Sequence, residues 1–294
     1  MSEFKFSFFL DDDNAGLGSQ QDKREHQSDS QLPKRHLACR IVSNTDKMSP
    51  DWNPRILSLS GGDISLRCVN LTAVESRLRE SGNQLLLRTS AENSDLIPNF
   101  YEGGFKIWEC SIDLIEHLLA RGIEFGEKRV LDLGCGAGLP GIFALTKGAA
   151  EVHFQDYNTD VIHHVTIPNT IVNLPPETIL AERCKFYAGD WQQMNVFLNP
   201  ERLEAMKYDI ILTSETIYNP DSYPALIQIF TDHLKLSGSI YVAAKTNYFG
   251  VGGSTHLFTE ALSKTNSFCT ESYQITTEGL SREIIRVRHK TLPS

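Results

Sequence analysis

The sequence predicts an α/β protein built on an open, mostly parallel sheet that closes with an antiparallel strand pair near its C-terminal end. Three observations predict it. Between about residues 128 and 245, strand-like and helix-like segments alternate, the pattern of successive strand–crossover–strand units. One junction, VLDLGCGAGLPG, runs from an apolar strand through three alternating glycines directly into a helix. The final stretch, SFCTESYQITTEGLSREIIRVRHK, reads as two strands separated by a turn near Glu278 and Gly279, and so short a connection joins antiparallel neighbours only.

Taken in order, residues 1–59 read as a mostly disordered tail. Positions 11 to about 55 are rich in Asp, Ser, Gln and Asn, show no sustained period and hold few apolar residues to offset ordering entropy. The opening FKFSFF alternates and suits either a strand against the body or a short docking segment. Apolar residues return at ILSLSGGDISLRCVNL, and Leu71, Val74 and Leu78 then recur at helical spacing, which marks residues 60–100 as a small cap on a domain spanning 60–294. In IWECSIDLIEHLLARG the apolar face Ile107, Trp108, Ile112, Ile115, Leu118 and Leu119 predicts a helix that stops at Gly122. KRVLDLG, EVHFQD, CKFYAGD, YDIILTSE and SIYVAAK are the strands; LPGIFALTKG, VIHHVTIPNTIVNL and SYPALIQIFTDHLKLSG are the helices between them. No internal repeat is present.

Composition excludes more than it assigns. The 294 residues carry 28 Lys and Arg against 37 Asp and Glu, a net charge of -9. That balance argues against direct nucleic-acid binding and favours a basic partner. Six cysteines are scattered without a C-x-x-C pair, so reduced thiols inside a cell are expected rather than a zinc knuckle or a disulfide scaffold. No apolar run approaches the ~20 residues a membrane span needs. FKFSFFL lacks the basic start and cleavage site of a signal peptide. His163, His164 and His256 lack the spacing of a metal site.

The glycine junction carries the chemistry. Glycines are needed where backbone turns tightly and lies in contact with a ligand, because a Cβ would intrude there. Asp156 ends the next strand, where an open α/β sheet presents a carboxylate to ribose hydroxyls. Gly136, Gly138 and Gly141 also spell the G-x-G-x-x-G of dinucleotide enzymes, but the strand ends at Asp132-Leu133-Gly134, two residues before that fingerprint begins. An acidic strand end followed by G-x-G-x-G resembles instead the S-adenosylmethionine methyltransferases, with their Rossmann-like seven-stranded sheet and C-terminal antiparallel pair.

Four further stretches, YEGGFKIWEC (101–110), FQDYN (154–158), LTSETIYNPDSY (212–223) and KTNYFGVGG (245–253), resemble the protein-histidine methyltransferase family, whose members modify a histidine of large-subunit ribosomal protein L three. The likeness covers about 93–294. It implies a monomeric enzyme of cytoplasm and nucleus linked to ribosome biogenesis and translation, with S-adenosyl-L-methionine as cofactor and that basic ribosomal protein as substrate. It implies no metal and no membrane contact. The implied cofactor residues are Ile107, Trp108, Glu109, Cys110, Ser111, Asp132, Gly134, Gly136, Gly138, Gln155, Asp156, Tyr157, Gly189, Asp190, Trp191 and Ser214. In that assignment Trp108 covers the methionine end or simply packs in the core. Asp156 accepts from the ribose, Tyr157 packs on the adenine, Asp190 accepts from the adenine amino group, and Trp191 stacks on the ring or fills the wall.

Glu215 and Tyr218 stand where related lysine methyltransferases have D-x-x-Y. With Asn219 they are the catalytic candidates, expected to fix the tautomer and angle of the substrate imidazole. A histidine nucleophile, with a reference pKa of ~6.5, needs less of a base than lysine at ~10.4. The alternative is a protein-lysine methyltransferase acting on a translation factor or chaperone, and the bland reading of Glu215 is a strand-end carboxylate capping the next turn. YFGVGGSTH shapes the substrate entrance or serves as a connector.

Overall fold

The structure, a computed structural model, describes residues 37–41, 53–59, 64–92, 96–97, 100–175, 178, 182–275 and 279–290. The strand considered at FKFSFF and the Glu278 end of the last turn lie outside them.

Among the described residues the main sheet has eight strands: β1 (Cys39–Ile41), β4 (Arg129–Leu133), β5 (Glu151–Asp156), β6 (Cys184–Ala188), β7 (Tyr208–Ser214), β8 (Leu234–Lys245), β9 (Phe268–Ile275) and β10 (Arg282–His289). Their order is β1-β6-β5-β4-β7-β8-β10-β9. β6, β5, β4, β7 and β8 run parallel, whereas β10 pairs antiparallel with both β8 and β9. The strand pattern read from the sequence is therefore present, with one addition. β1 pairs antiparallel with β6 and comes from the stretch read as tail. A second strand from that stretch, β2 (Arg55–Leu59), forms a hairpin with β3 (Ile64–Cys68). Three residues of CRI give no readable period, which is why β1 escapes a sequence reading.

The sheet is covered on both faces, so its central strands are apolar on alternate sides. Val130, Val152, Phe154, Ile210 and Leu212 belong to one core. It includes residues of α1 (Leu71–Glu80), α2 (Gln84–Glu92), α3 (Glu109–Ala120), α4 (Leu139–Thr146), the short α5 (Thr159–Val161) and α6 (Ile167–Asn173). Leu131, Leu133 and Ile211 belong to the other, with α7 (Trp191–Phe197), α8 (Tyr223–His233) and α9 (Thr255–Lys264). α3 ends as expected at Gly122, whose φ of +59° a Cβ-bearing residue rarely adopts.

The small cap is pinned to the glycine turn by two asparagines. Asn169 accepts from the Val69 amide (2.8 Å) and donates to the Ala137 carbonyl (2.9 Å). Asn173 accepts from Arg67 N–H and donates to its carbonyl. Ahead of α6 the helix widens into a π segment, Ile162–Thr166. Pro168 has no N–H to give the carbonyl four residues back, and the Ile167 amide reaches Ile162 instead. That wider turn is where Thr166 sits, and its hydroxyl donates to Gly136 O at 2.7 Å.

Candidate active site

β4 is central, and the connections from its two neighbours leave in opposite directions, so a crevice opens at the carboxyl ends of β4, β5 and β7. The cleft there is open to solvent and is lined from β4, β5 and β7 and from the segment ahead of the first long helix of the sheet.

Its floor is the glycine turn. Gly134, Gly136 and Gly138 have φ of +65°, +48° and +73°. A Cβ on Gly134 would lie 2.6 Å from the Thr216 methyl, and one on Gly138 2.9 Å from the Thr166 methyl. Gly134 and Gly136 line the cleft, whereas Gly138 caps α4 beneath it. The turn faces a second glycine pair: a Cβ on Gly136 would lie 3.6 Å from Gly104 O.

Asp156 lines the cleft at the end of β5. Its carboxylate accepts from the Gly136 amide (2.9 Å) and the Asn158 amide (3.1 Å). Burial pushes its pKa up to about 6, and those amides restrain the rise. Next to it Gln155 is sealed inside, donating to the Asp156 and Gly189 carbonyls while its Oε1 accepts from Trp191 Nε1 at 3.0 Å. Gln155 thus sets the cleft wall without lining it, and Trp191 lines it.

The substrate-facing side is held by contacts distant in sequence. Tyr218 O–H donates to the Glu102 carboxylate. Trp108 Nε1 donates to Gly103 O at 3.0 Å, and Ser111 Oγ donates to Trp108 O at 2.7 Å. Glu215 takes a φ of +57°, rare for a residue with a Cβ, and is held there by its amide donating to Ala243 O at 2.9 Å. Its side chain faces Lys245 Nζ at 3.5 Å, with both side chains almost buried. The Cys110 thiol and Tyr248 hydroxyl lie near Glu215, and burial together with its charge drives both of their pKa values well up.

Ten of the residues expected from sequence therefore come together around one cleft: Trp108, Ser111, Gly134, Gly136, Asp156, Tyr157, Trp191, Ser214, Glu215 and Tyr218. The others do not line it. Asp132 is sealed below, accepting from the Gly141 amide at 2.9 Å. Asp190 caps α7 by accepting from Gln192 N–H, and Gly189 has no room for a Cβ because the segment just ahead of β1 passes it: a Cβ would sit 2.7 Å from Ala38 Cα. Glu109 bonds to Arg282 (2.7 Å), Ile107 packs against the core, and Cys110 is fully buried. Asn219 accepts from Asp221 N–H at 3.0 Å as the cap of a short 3-10 turn. Cys135 and Ala137, inside the Gly134–Gly138 loop, line it too, and the sequence reading missed Glu102, Gly103, Gly104, Lys106 and Thr216. The doublet Gly103-Gly104 just before a helix was the available signal.

Two facing glycine turns with a buried carboxylate beside them fit a nucleoside with a flexible tail. Asp156 suits ribose hydroxyls, Tyr157 and Trp191 the base, and Trp108 and Ser111 the amino-acid end. Fold and site define an S-adenosylmethionine-dependent methyltransferase. In agreement, the chain matches the lysine methyltransferase family over residues 99–262. It overlays on a solved S-adenosylmethionine-dependent methyltransferase from Streptococcus mutans with a TM-score of 0.53 at 13% identity, covering 82% of this chain and 56% of that one.

Closer relatives narrow the class. A histidine protein methyltransferase 1 homolog of Mus musculus is 33% identical over 96% of this chain and 94% of its own length. That of Bos taurus is 42% identical over 76% of this chain and 66% of its own. The chain belongs to the histidine protein methyltransferase family.

Proposed function

We propose that this chain methylates a histidine of large-subunit ribosomal protein L three, in the cytoplasm and nucleus, and so contributes to ribosome biogenesis and translation. Protein-histidine methylation follows from family membership. The identity of the substrate is supported by the same resemblance in YEGGFKIWEC and SETIYNPDSY and by the net charge of -9, which steers a basic, RNA-binding protein toward the enzyme.

The observation that carries the chemistry is the state of Glu215. Its Oε1 is buried and makes no hydrogen bond among the described residues, yet the side chain lines the cleft. S-adenosylmethionine, when bound, supplies an electrophilic methyl group on a sulfonium sulfur. What the protein must add is alignment and the exclusion of water. Glu215 Oε1 accepts the N–H of the substrate imidazole, which leaves the bare ring nitrogen as the nucleophile. Tyr218, locked to Glu102, and Trp108, locked to Gly103, wall the ring in. No covalent intermediate and no strong base are required, because a neutral imidazole already carries its lone pair near pH 7.

The test is a methylation assay on ribosomes and pre-ribosomal fractions from cells lacking this protein, with the product mapped by mass spectrometry. Methyl-histidine in protein L three is expected with the wild-type chain, and at least a tenfold lower rate with Tyr218→Phe. Methyl-lysine as the product, or no label in that protein, would refute the assignment.

A further inference from the structure

We infer that Lys245 is a specificity-determining residue: its ammonium cancels the charge of Glu215, so the cleft offers a hydrogen-bond acceptor without a net negative charge, admitting a neutral imidazole and refusing a protonated amine. The inference rests on histidine being the residue methylated.

The geometry is that of a resident counter-ion. Lys245, the last residue of β8, has its Nζ 3.5 Å from Glu215 Oε1, with the two side chains 6% and 8% exposed. The same ammonium lies over the Trp108 ring, 5.1 Å from its centroid, and 5.9 Å from that of Tyr248. Lys245 itself is not among the lining residues, whereas Glu215 and Trp108 are. It reaches the cleft only through them.

An isolated carboxylate in so buried a place would attract cations strongly, because charge interactions grow several-fold as the effective dielectric falls. A substrate ammonium would then be bound well. A substrate imidazole would be held as imidazolium, which has no lone pair to donate. With Lys245 in place a second ammonium meets a neutralised acceptor and a like charge behind it. The imidazole loses nothing, since accepting an N–H needs only the oxygen.

The surrounding charges do not undo this. Cys110 faces the pair from α3, and Arg282, beside Lys245 in the β10–β8 pairing, is bonded to Asp113 (2.6 Å) and Glu109 (2.7 Å) of α3. Tyr248 follows β8, and its hydroxyl, near Glu215, accepts from the Lys245 amide at 3.2 Å. Across the cleft Glu102 accepts from Tyr218. Glu102 is common to every variant below, so it cancels from the comparison.

The test uses the full-length chain and ribosomal protein L three, with its methylated histidine intact or replaced by lysine. For Lys245→Met, the acid limb of the kcat profile on the histidine substrate is expected to move at least one pH unit upward. The lysine-bearing protein is expected to bind at least tenfold more tightly, read as its inhibition constant against the histidine substrate. Lys245→Arg should keep both near wild type, and the double variant Lys245→Met with Glu215→Gln should bring the acid limb back down. Glu215→Gln alone leaves the ammonium uncompensated, so its acid limb should move downward. A folded Lys245→Met protein with unchanged acid limb and unchanged inhibition constant would overturn the inference. If Lys245→Met does not fold, an unmoved acid limb in Glu215→Gln overturns it equally. Failure of the wild-type chain to methylate histidine at all is a different result, and it removes the proposed function instead.

Discussion

Asp132 and Asp156 stand at or near the ends of neighbouring strands, and each accepts a hydrogen bond at 2.9 Å from a glycine amide of the same turn and helix. Their fates are opposite. Asp156 accepts from Gly136 inside the turn and keeps its carboxylate on the cleft. Asp132 accepts from Gly141 in the first turn of α4 and is sealed beneath. Burial pushes Asp156 up to about 6 and Asp132, with the charge of Asp156 added, up to about 8. At neutral pH the first is an ionised acceptor for a ligand. The second is mostly a neutral strut that helps hold the turn the ligand rests on. Two identical letters in like positions thus divide into recognition and support, and only the local packing separates them.

The sharpest way to break that division is at its functional side. Asp156→Asn removes charge-assisted hydrogen bonds to the ribose, each worth ~1.5–3 kcal/mol, so the dissociation constant for S-adenosylmethionine in calorimetry should rise about 30- to 100-fold. The wild type should show the same dependence as a pH effect. Protonation of Asp156 removes the acceptor, so affinity is expected to be flat above pH 7 and to fall up to about tenfold per unit below about 6. The Asn variant should lose this dependence. Equal affinity of the two proteins at pH 7.5 would place the ribose elsewhere.

A smaller effect is expected from Gly141→Ala, which attacks the support. The added Cβ would lie 2.4 Å from the Phe154 ring and 2.9 Å from Asp132 Oδ2. Overpacking of this kind costs about 1–3 kcal/mol, visible as a lowered urea midpoint. Cofactor affinity of the folded protein should change less than that of Asp156→Asn.

The same contrast explains what could be read in advance. The sheet was legible because parallel strands buried on both faces are written as apolar runs, and glycines punctuate them where φ is positive. The cofactor floor was legible because its residues are local: Gly134, Gly136 and Asp156 act through backbone turns and a strand end. The opposite wall was not. Tyr218 meets Glu102 across 116 positions, Lys245 meets Glu215 across a strand crossover, and neither spacing leaves a mark in the chain. Gly189 and Asp190 show a second kind of pressure on the same letters. Their letters fit a ligand loop, and packing adds its own demand: one yields room to the segment leading into β1 and the other caps α7.

The smallest effect on ligand binding is expected for Asp132→Asn, and it is the variant that tests the division most directly. An Asn oxygen can still accept from Gly141, and the wild-type side chain already carries a proton for most of its population at pH 7. The cofactor dissociation constant should therefore change less than about threefold. Stability should change in its pH dependence. A carboxyl whose folded pKa is raised from about 4 to about 8 favours the folded state most below pH 4, and that advantage is lost as the pH climbs toward 8. Urea unfolding of the wild type should weaken over that window, with Asp156 adding its share up to about pH 6. In Asp132→Asn the decline between pH 6 and 8 should flatten, because only the Asp132 carboxyl spans that interval. An equal slope in both proteins would mean that Asp132 ionises like an exposed carboxylate, and its role would then be recognition rather than support.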